Sequence, residues 1–198
     1  MTMSPQRPAR LRFSHFGISV QDIARMEAFY TEVLGFTVTD RGSVLGLDLV
    51  FLSRDPGEHH QIVLGTGRPD GIPPNARNPM FGACINQISF KVEQLDELRV
   101  LKGALDRWGL TEVTPGNHGL AWSLYFPDPE GNNIECFVDS PWYITQPFFE
   151  PFDLGRTDQQ ILADTYEMCR NAAGFRSYSD WRAEFAWKMS SQQAGRGA

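Results

Sequence analysis

Four polar side chains lie on stretches that are otherwise apolar or built of small residues, and their chemical types could act together. They are His15, His60, Gln87 and Glu135. Histidine exchanges protons near neutral pH and is a common metal ligand. Glu135 lies between Ile134 and Cys136, and a carboxylate in such a strand is costly to bury without a partner. Either a cation lies near Glu135 or the side chain faces solvent, and we favour the cation.

An internal repeat relates these residues to one another. His15 opens the segment HFGISV, which is followed by QDI and an amphipathic stretch. Gln87 opens the segment QISFKV, which is followed by EQL and a second amphipathic stretch. A repeat of this size indicates two copies of one supersecondary unit packed together. His15 and Gln87, which stand at equivalent positions, can therefore converge on one shared site.

Each copy is predicted to be a βαβββ unit, from alternating strands and a 3.6-residue helical period. In the first copy, Asp22 is the predicted helix N-cap and Gly35 the helix stop. Strands are expected at 11–20, 36–40, 44–53 and 59–65, with a turn at 41–42. In the second copy, a helix over 95–108 ends at Gly109, and strands are expected at 85–92, 111–114, 121–126 and 132–138.

Strand alternation predicts which side chains share a face. The apolar face of each first strand must lie under its own helix, so the other face points away from the helices. Two such curved sheets would enclose an open trough. Alternation along the last strand of each unit predicts which of its side chains face this trough. They are His60, Ile62 and Leu64 in the first unit, and Asn133, Glu135 and Phe137 in the second. His59 is then left outside, and His15 and His60 from one half meet Gln87 and Glu135 from the other.

The chain is divided by these patterns into a flexible N-terminus (1–10), a first module (11–65), a linker (66–83), a second module (84–139) and a Pro- and aromatic-rich C-terminal segment (140–198). Within the last segment, Thr157 and Gln160 resemble a capping box that opens a helix to about Arg170. A second short helix is expected over 179–189, followed by a frayed tail.

Composition narrows the function classes. The net charge of −6, without a Lys/Arg cluster, makes nucleic acid and anionic membranes poor candidate partners. There is no apolar run of about 18 residues for a transmembrane helix, and the N-terminus lacks the apolar core of a secretory signal. Cys84, Cys136 and Cys169 show no CxxC spacing, which favours reduced thiols and a cytoplasmic location. A small-molecule site is the expectation.

The chain resembles the vicinal oxygen chelate superfamily and, within it, the type I extradiol (catechol-cleaving) dioxygenases, over residues 11–138. The resemblance is carried by the strand opening at His15, the run HHQIVL, the turn NHG and the segment SLYFPDPEG that leads to Glu135. It implies an α+β fold in which paired βαβββ modules form a curved mixed sheet around an open trough, with a C-terminal helical extension. The repeat is weak evidence for activity, because glyoxalases, epimerases, thiol transferases and drug-binding proteins share it.

The resemblance also implies roles for single residues. His15, Gln87 and Glu135 fall on the three metal-ligand positions, which in ring-cleaving relatives are His, His and Glu around Fe(II). His60 falls on the acid–base histidine, Tyr125 on the substrate-contacting tyrosine, and His118 on a further active-site histidine. Gln87 departs from the pattern, because an amide oxygen is a weaker ligand than imidazole. Glyoxalase I relatives, however, can use glutamine among their ligands.

The implied function is a metal-dependent dioxygenase of the extradiol type that cleaves a catechol-like ring with O₂. Fe(II) is the expected ion, with Mn(II), Ni(II), Zn(II) or Co(II) as alternatives, and the partners are a small aromatic diol, O₂ and a second copy in a homodimer. One alternative is Lewis-acid isomerase or lyase chemistry of the glyoxalase kind, and another is a non-catalytic protein that binds an aromatic ligand. His60 could also be a fourth metal ligand. Tyr125 could be a core aromatic, and His118 a surface residue.

Overall fold

The computed structural model describes residues 13–69 and 87–195, with side chains through residue 191. The chain forms two compact units. The module unit comprises Ser14–Gly116 and Ser123–Val138, and the helical unit comprises Asn117–Trp122 and the chain from Asp139 onward. The module unit contains the first βαβββ module and most of the second. The predicted N-terminus 1–10, Cys84 and most of the predicted linker lie outside the described residues.

The first module has four strands and one helical layer. Its elements are β1 (Phe16–Val20), α1 (Ile23–Ala28), a π-helical segment (Phe29–Val33), β2 (Thr37–Val44), β3 (Leu47–Ser53) and β4 (Ile62–Thr66). The strand order is β1-β4-β3-β2, with β1 parallel to β4 and the other pairs antiparallel. Asp22 caps α1 by accepting the Arg25 N–H, and Gly35 adopts a φ of 69° where the helical layer ends, both as predicted.

The second module repeats this order. Its elements are β5 (Ile88–Lys91), α2 (Leu95–Trp108), β6 (Thr114–Asn117), β7 (Ala121–Pro127) and β8 (Asn133–Asp139). The strand order is β6-β7-β8-β5, again with the first and last strands parallel. Gly109 ends α2 in the left-handed conformation. β6 lies at Thr114–Asn117 rather than at the predicted 111–114, because its residues, Thr-Pro-Gly-Asn, carry no apolar alternation that marks a strand. This arrangement confirms the predicted α+β fold of paired βαβββ modules with open mixed sheets.

The two modules share one core. Phe29, which is fully buried, packs its ring against Trp108 at 5.6 Å and Phe126 at 6.4 Å between ring centroids, and Phe36 meets Phe90 at 5.5 Å. Burying an aromatic or aliphatic side chain of this size stabilises a fold by about 1.5–3 kcal/mol. The helical stripes that the sequence predicts therefore hold the modules together.

Three boundaries in the first module differ from the prediction. β2 runs through 41–42, and the chain reverses at Leu45 and Gly46, whose φ values are 54° and 80°. Two successive positive φ values give the tight hairpin turn whose twist matches the strands, but leucine rarely adopts one, so the sequence signal is hidden. β1 begins at Phe16 rather than 11, and β4 begins at Ile62 rather than 59.

The helical unit contains β9 (Trp142–Tyr143), β10 (Glu150–Pro151), α3 (Asp158–Cys169), β11 (Arg176–Ser177) and α4 (Tyr178–Gly195). The predicted capping box of Thr157 and Gln160 is confirmed. The last helix continues to Gly195, so the frayed tail predicted from Ser190 is wrong for 190–195. Tyr143, Trp181 and Phe185 stack in sequence at 5.0 and 5.1 Å between centroids. Of the helices that the structure describes, none is long and apolar enough to cross a membrane.

Candidate functional site

The register of β5 and β8 defines the face of the second module that carries the site. Ser89 pairs with Glu135 and Lys91 pairs with Phe137, so these four side chains point to one side of the sheet. Ile134 and Cys136, which alternate with them, are buried on the other side. The parity predicted for the second module is therefore confirmed.

Glu135 is the centre of this face. Its carboxylate is almost fully buried, with 8% of the residue exposed, although a glutamate is rarely buried alone. Both carboxylate oxygens accept hydrogen bonds. Oε1 accepts the Ser123 hydroxyl at 2.8 Å and the Tyr125 phenol at 2.5 Å. Oε2 accepts the Ser89 hydroxyl at 2.6 Å and the Gln87 amide Nε2 at 3.0 Å.

We call this group the carboxylate cluster: Gln87, Ser89, Ser123, Tyr125 and Glu135. These four donors are neutral groups, and their hydrogen bonds solvate the buried carboxylate. Sequence reasoning did not assign a role to Ser89 or Ser123. Their signal was the strand period of two, because Ser89 follows Gln87 by two residues and Ser123 precedes Tyr125 by two.

Tyr125 is held as a proton donor. Burial raises the pKa of its phenol well above the usual value, and the hydrogen bond to Glu135 and the charge of Glu135 raise it further. The phenol therefore stays protonated at neutral pH. A neutral phenol beside an anionic carboxylate can donate to that carboxylate or to a substrate oxygen.

A second group, the histidine cluster, consists of His15, His59 and His60. The rings of His15 and His60 lie 4.2 Å apart between centroids, and Nδ1 of His59 lies 2.9 Å from Nδ1 of His60. The ring of Phe51 contacts the rings of His59 and His60, at 5.7 and 5.2 Å between centroids. Burial is the largest of the causes that lower the pKa of His60, followed by the charges of His15 and His59. His60 is therefore neutral at pH 7 and can accept a proton.

His60 reaches His15 by a different route from the predicted one. Ile62 and Leu64 pair with Phe16 and Ile18 and are fully buried on the helix side of the sheet, so the predicted trough parity of Ile62 and Leu64 is wrong. His60 precedes β4 and lies outside the strand, where strand alternation does not apply. His59 is exposed, with Nε2 at 4.0 Å from a carboxylate oxygen of Asp40, as expected for an outward residue.

His118 belongs to the helical unit. It lies in the connection between β6 and β7, where Nδ1 contacts the Phe148 carbonyl oxygen at 2.7 Å and the ring packs on Phe149 at 5.5 Å. Gly119 adopts a φ of 75°, and its N–H donates to the Asn117 side chain at 2.9 Å. The predicted turn at this histidine is confirmed.

The donor chemistry fits a divalent ion. Imidazole and carboxylate are ligands for Fe, Mn, Zn and Ni, and Gln87 turns its Nε2 to Glu135 and Ser89, which leaves the amide oxygen as a ligand atom. Within 13–69 and 87–195, no three His, Cys, Asp or Glu side chains are grouped to hold an ion. The predicted set of His15, Gln87 and Glu135 contains only two side chains of those types.

A family profile described as the Glyoxalase/Bleomycin resistance protein/Dioxygenase superfamily matches residues 12–136 of the chain. The chain belongs to this superfamily. The match covers the first module and the second as far as the middle of β8, one residue after Glu135. The predicted superfamily is therefore confirmed, and its members differ in activity.

Two curated relatives illustrate the similarity. Biphenyl-2,3-diol 1,2-dioxygenase 2 of Rhodococcus globerulus is 30% identical over 129 residues, which cover 65% of this chain and 63% of the relative. Catechol-2,3-dioxygenase of Bacillus subtilis (strain 168) is 26% identical over 138 residues, which cover 65% of this chain and 42% of the relative. The chain thus spans less than two thirds of the length of these relatives.

Solved structures agree on the fold. A glyoxylase/bleomycin resistance protein/dioxygenase domain from Frankia sp. EAN1pec has a TM-score of 0.57 at 24% identity, covering 67% of this chain and 100% of that domain. The fosfomycin resistance protein FosX of Listeria monocytogenes, solved with Mn(II) and sulfate, has a TM-score of 0.50 at 16% identity. The match covers 67% of this chain and 95% of FosX. At these identities the likeness establishes the fold alone.

Proposed function

We propose that the protein is a metal-dependent dioxygenase of the extradiol type, which cleaves a catechol-like ring beside its two hydroxyl groups with O₂. The observation that carries the proposal is the buried Glu135 carboxylate with the Tyr125 phenol hydrogen-bonded to it. These are the positions that the resemblance assigns to a metal ligand and to a substrate-contacting tyrosine. The names of the curated relatives, which are diol and catechol dioxygenases, support the same reaction class.

The metal would be held by His15, Gln87 and Glu135, with Fe(II) as the first candidate. When bound, such an ion lowers the pKa of a coordinated hydroxyl and leaves positions open for a diol and O₂. The neutral donors of the carboxylate cluster keep the Glu135 carboxylate in one orientation. Such supporting hydrogen bonds set the geometry and basicity of a ligand.

His60 would take a proton from the substrate and return it as a general acid. The lowered pKa of His60 keeps its imidazole neutral and therefore able to act as a base. Tyr125, whose phenol stays protonated, would donate a hydrogen bond to a substrate oxygen. A role for His118 in proton delivery rests on the resemblance alone.

Gln87 supports a second candidate function. An amide oxygen is a poorer donor to iron than imidazole, and Lewis-acid isomerase or lyase chemistry of the glyoxalase kind with Ni(II), Zn(II) or Co(II) makes no demand for oxygen activation. The two candidates share the same ligands. They differ in the ion and in whether O₂ is consumed.

The deciding experiment is anaerobic loading of the purified protein with Fe(II), followed by a panel of catechols that includes 2,3-dihydroxybiphenyl, and then O₂. We expect O₂ uptake and a yellow ring-cleavage product, both abolished in Glu135→Gln. Gln87→His is the matched variant that restores the usual ligand set and is expected to raise the rate. If neither the wild type nor Gln87→His takes up oxygen, ring cleavage is rejected.

Further readouts separate the alternatives. Nickel or zinc bound in the purified protein, with turnover of a carbonyl substrate, would favour the Lewis-acid enzyme. A protein that binds a catechol but no ion would be a non-catalytic binder. The proposed homodimer is tested by light scattering coupled to size-exclusion chromatography, where a monomer mass at working concentration would reject it.

A further inference from the structure

The turn between β7 and β8 is bound to the first module through Glu130. Its Oε1 accepts the backbone N–H of Gln21 at 2.6 Å and of Asp22 at 2.9 Å, and its Oε2 pairs with Nη1 of Arg68 at 3.0 Å. The same Arg68 nitrogen also donates to the Glu130 carbonyl at 3.1 Å. The side chains of Arg68 and Glu130 are only 10% and 8% exposed. One carboxylate thus contacts two residues just after β1 and one residue just after β4.

Asp128 makes the turn rigid. This buried carboxylate accepts the backbone N–H groups of Glu130 and Asn132 at 3.0 and 2.9 Å, and the Asn132 side-chain amide at 2.7 Å. It also accepts the hydroxyl of Tyr30, at 3.3 Å, from the helical layer of the first module. The turn therefore holds Glu130 in one place.

The strands that meet at this turn carry both halves of the candidate site. β7 and β8 carry Tyr125 and Glu135 on either side of the turn. β1 lies between His15 at its start and Gln21 at its end. Because a strand of five residues is short and stiff, movement of the Gln21 end along its axis would move His15 with it.

A buried ion pair is weak evidence for stability, because desolvation offsets much of its attraction, but it can specify one geometry. The corresponding turn of the first module is bound within itself, with the Gly57 N–H donating to the Asp55 side chain at 2.8 Å. Glu130 is therefore placed to fix the register between modules rather than to close its own turn.

We propose that Glu130 is a positioning residue, which holds the strand that carries His15 in register with the strands that carry Tyr125 and Glu135. The consequence for metal binding rests on the proposed function, whereas the consequence for strand register does not. Residues that support metal ligands typically change metal affinity by about 10- to 100-fold when they are replaced.

The test compares Glu130→Ala and Glu130→Gln with the control Glu112→Ala. Glu112 is an exposed acidic residue that lines the same surface depression as Glu130. Folding of each variant is verified by circular dichroism. Aromatic ¹H–¹³C spectra of the metal-free proteins then report on His15 and Tyr125, assigned through His15→Asn and Tyr125→Phe. Mn(II) affinity is measured by the paramagnetic resonance of the free ion.

We expect the His15 and Tyr125 signals to move in folded Glu130→Ala, and its Mn(II) affinity to fall about tenfold or more. Glu130→Gln keeps an oxygen that can accept the two backbone N–H groups. Its His15 and Tyr125 signals and its Mn(II) affinity are therefore expected to lie between those of the wild type and Glu130→Ala. Glu112→Ala should match the wild type. Wild-type signals in folded Glu130→Ala overturn the role of Glu130 in strand register, and a wild-type Mn(II) affinity in it overturns the effect on metal binding. If the wild type itself takes up no ion, the proposed function fails, and the metal-free spectra still decide the role of Glu130.

Discussion

The phenol of Tyr125 on β7 donates a hydrogen bond of 2.5 Å to a carboxylate oxygen of Glu135 on the neighbouring strand β8. The bond joins an acid to its acceptor in a partly buried setting, and together with burial it raises the pKa of Tyr125. This relationship links the stability of the fold to the protonation state of a residue proposed to bind substrate.

Tyr125→Phe should therefore change how stability depends on pH. A phenol whose folded pKa is raised stabilises the fold fully below the unfolded pKa of about 10, and that stabilisation is lost as the pH rises toward the folded pKa. We expect the wild type to be more stable than Tyr125→Phe at pH 8, and the difference to narrow above pH 10. Urea unfolding of both proteins at several pH values measures this, and a constant difference would contradict it.

Glu135→Gln should destabilise the protein even without metal. The carboxylate accepts four hydrogen bonds, two at each oxygen, whereas an amide must present its NH₂ to two of those donors. Exchanging these charge-assisted hydrogen bonds for weaker bonds to a neutral amide costs about 1–3 kcal/mol. We expect a loss of this size in the free energy of unfolding, measured by urea at pH 7. Glu112→Gln, which changes an exposed carboxylate, is the control and should be nearly neutral.

His60→Asn separates two roles that the sequence left open. If His60 is the acid–base residue, the variant should keep its metal affinity and lose about 10²- to 10⁴-fold in kcat. If His60 is a fourth ligand, metal affinity falls together with the rate. Isothermal titration with Mn(II) and steady-state oxygen uptake measure the two quantities. We expect the first result, in line with the acid–base role that the proposed function gives to His60.

The site face of the second module could be predicted from the sequence because β5 and β8 are unbroken strands, although the strand predicted at 111–114 lies at Thr114–Asn117 instead. Alternation through β5 and β8 places Ser89 and Glu135 on one face, and the structure pairs them. The same counting fails at His60, because strand parity holds only inside a strand and β4 begins two residues later. Proximity of His15 and His60 was thus expected for an incorrect reason, and the actual contact comes from the connection that precedes β4.

Other features depend on tertiary contacts that carry no local signal. The hydroxyls of Ser89 and Ser123 reach Glu135 from two strands, and serine is common on any polar strand face. Glu130 stands in a turn that the sequence does predict, yet its partners Gln21 and Arg68 are distant in the chain. Such pairings follow from the packing of one module on the other, which periodicity within each module does not determine.

The strongest stability effect is expected at Thr165 in the helical unit. Its hydroxyl is fully buried, accepts the Asn117 amide at 2.8 Å and the Trp122 indole N–H at 2.9 Å, and donates to the Ile161 carbonyl at 2.8 Å. Thr165→Val preserves the shape of the side chain and leaves two buried donors without an acceptor, at a cost of about 2–5 kcal/mol.

Thr31→Val is the matched comparison for this change. The Thr31 hydroxyl also donates to a carbonyl one helical turn earlier, that of Glu27 at 2.8 Å, and the side chain is half-buried. Removing a hydroxyl that only donates backward to the helix should change stability by about 0.5 kcal/mol or less. Urea unfolding of the two variants measures the contrast. Equal losses would show that the cost comes from replacing a helical threonine and not from the donors of Asn117 and Trp122.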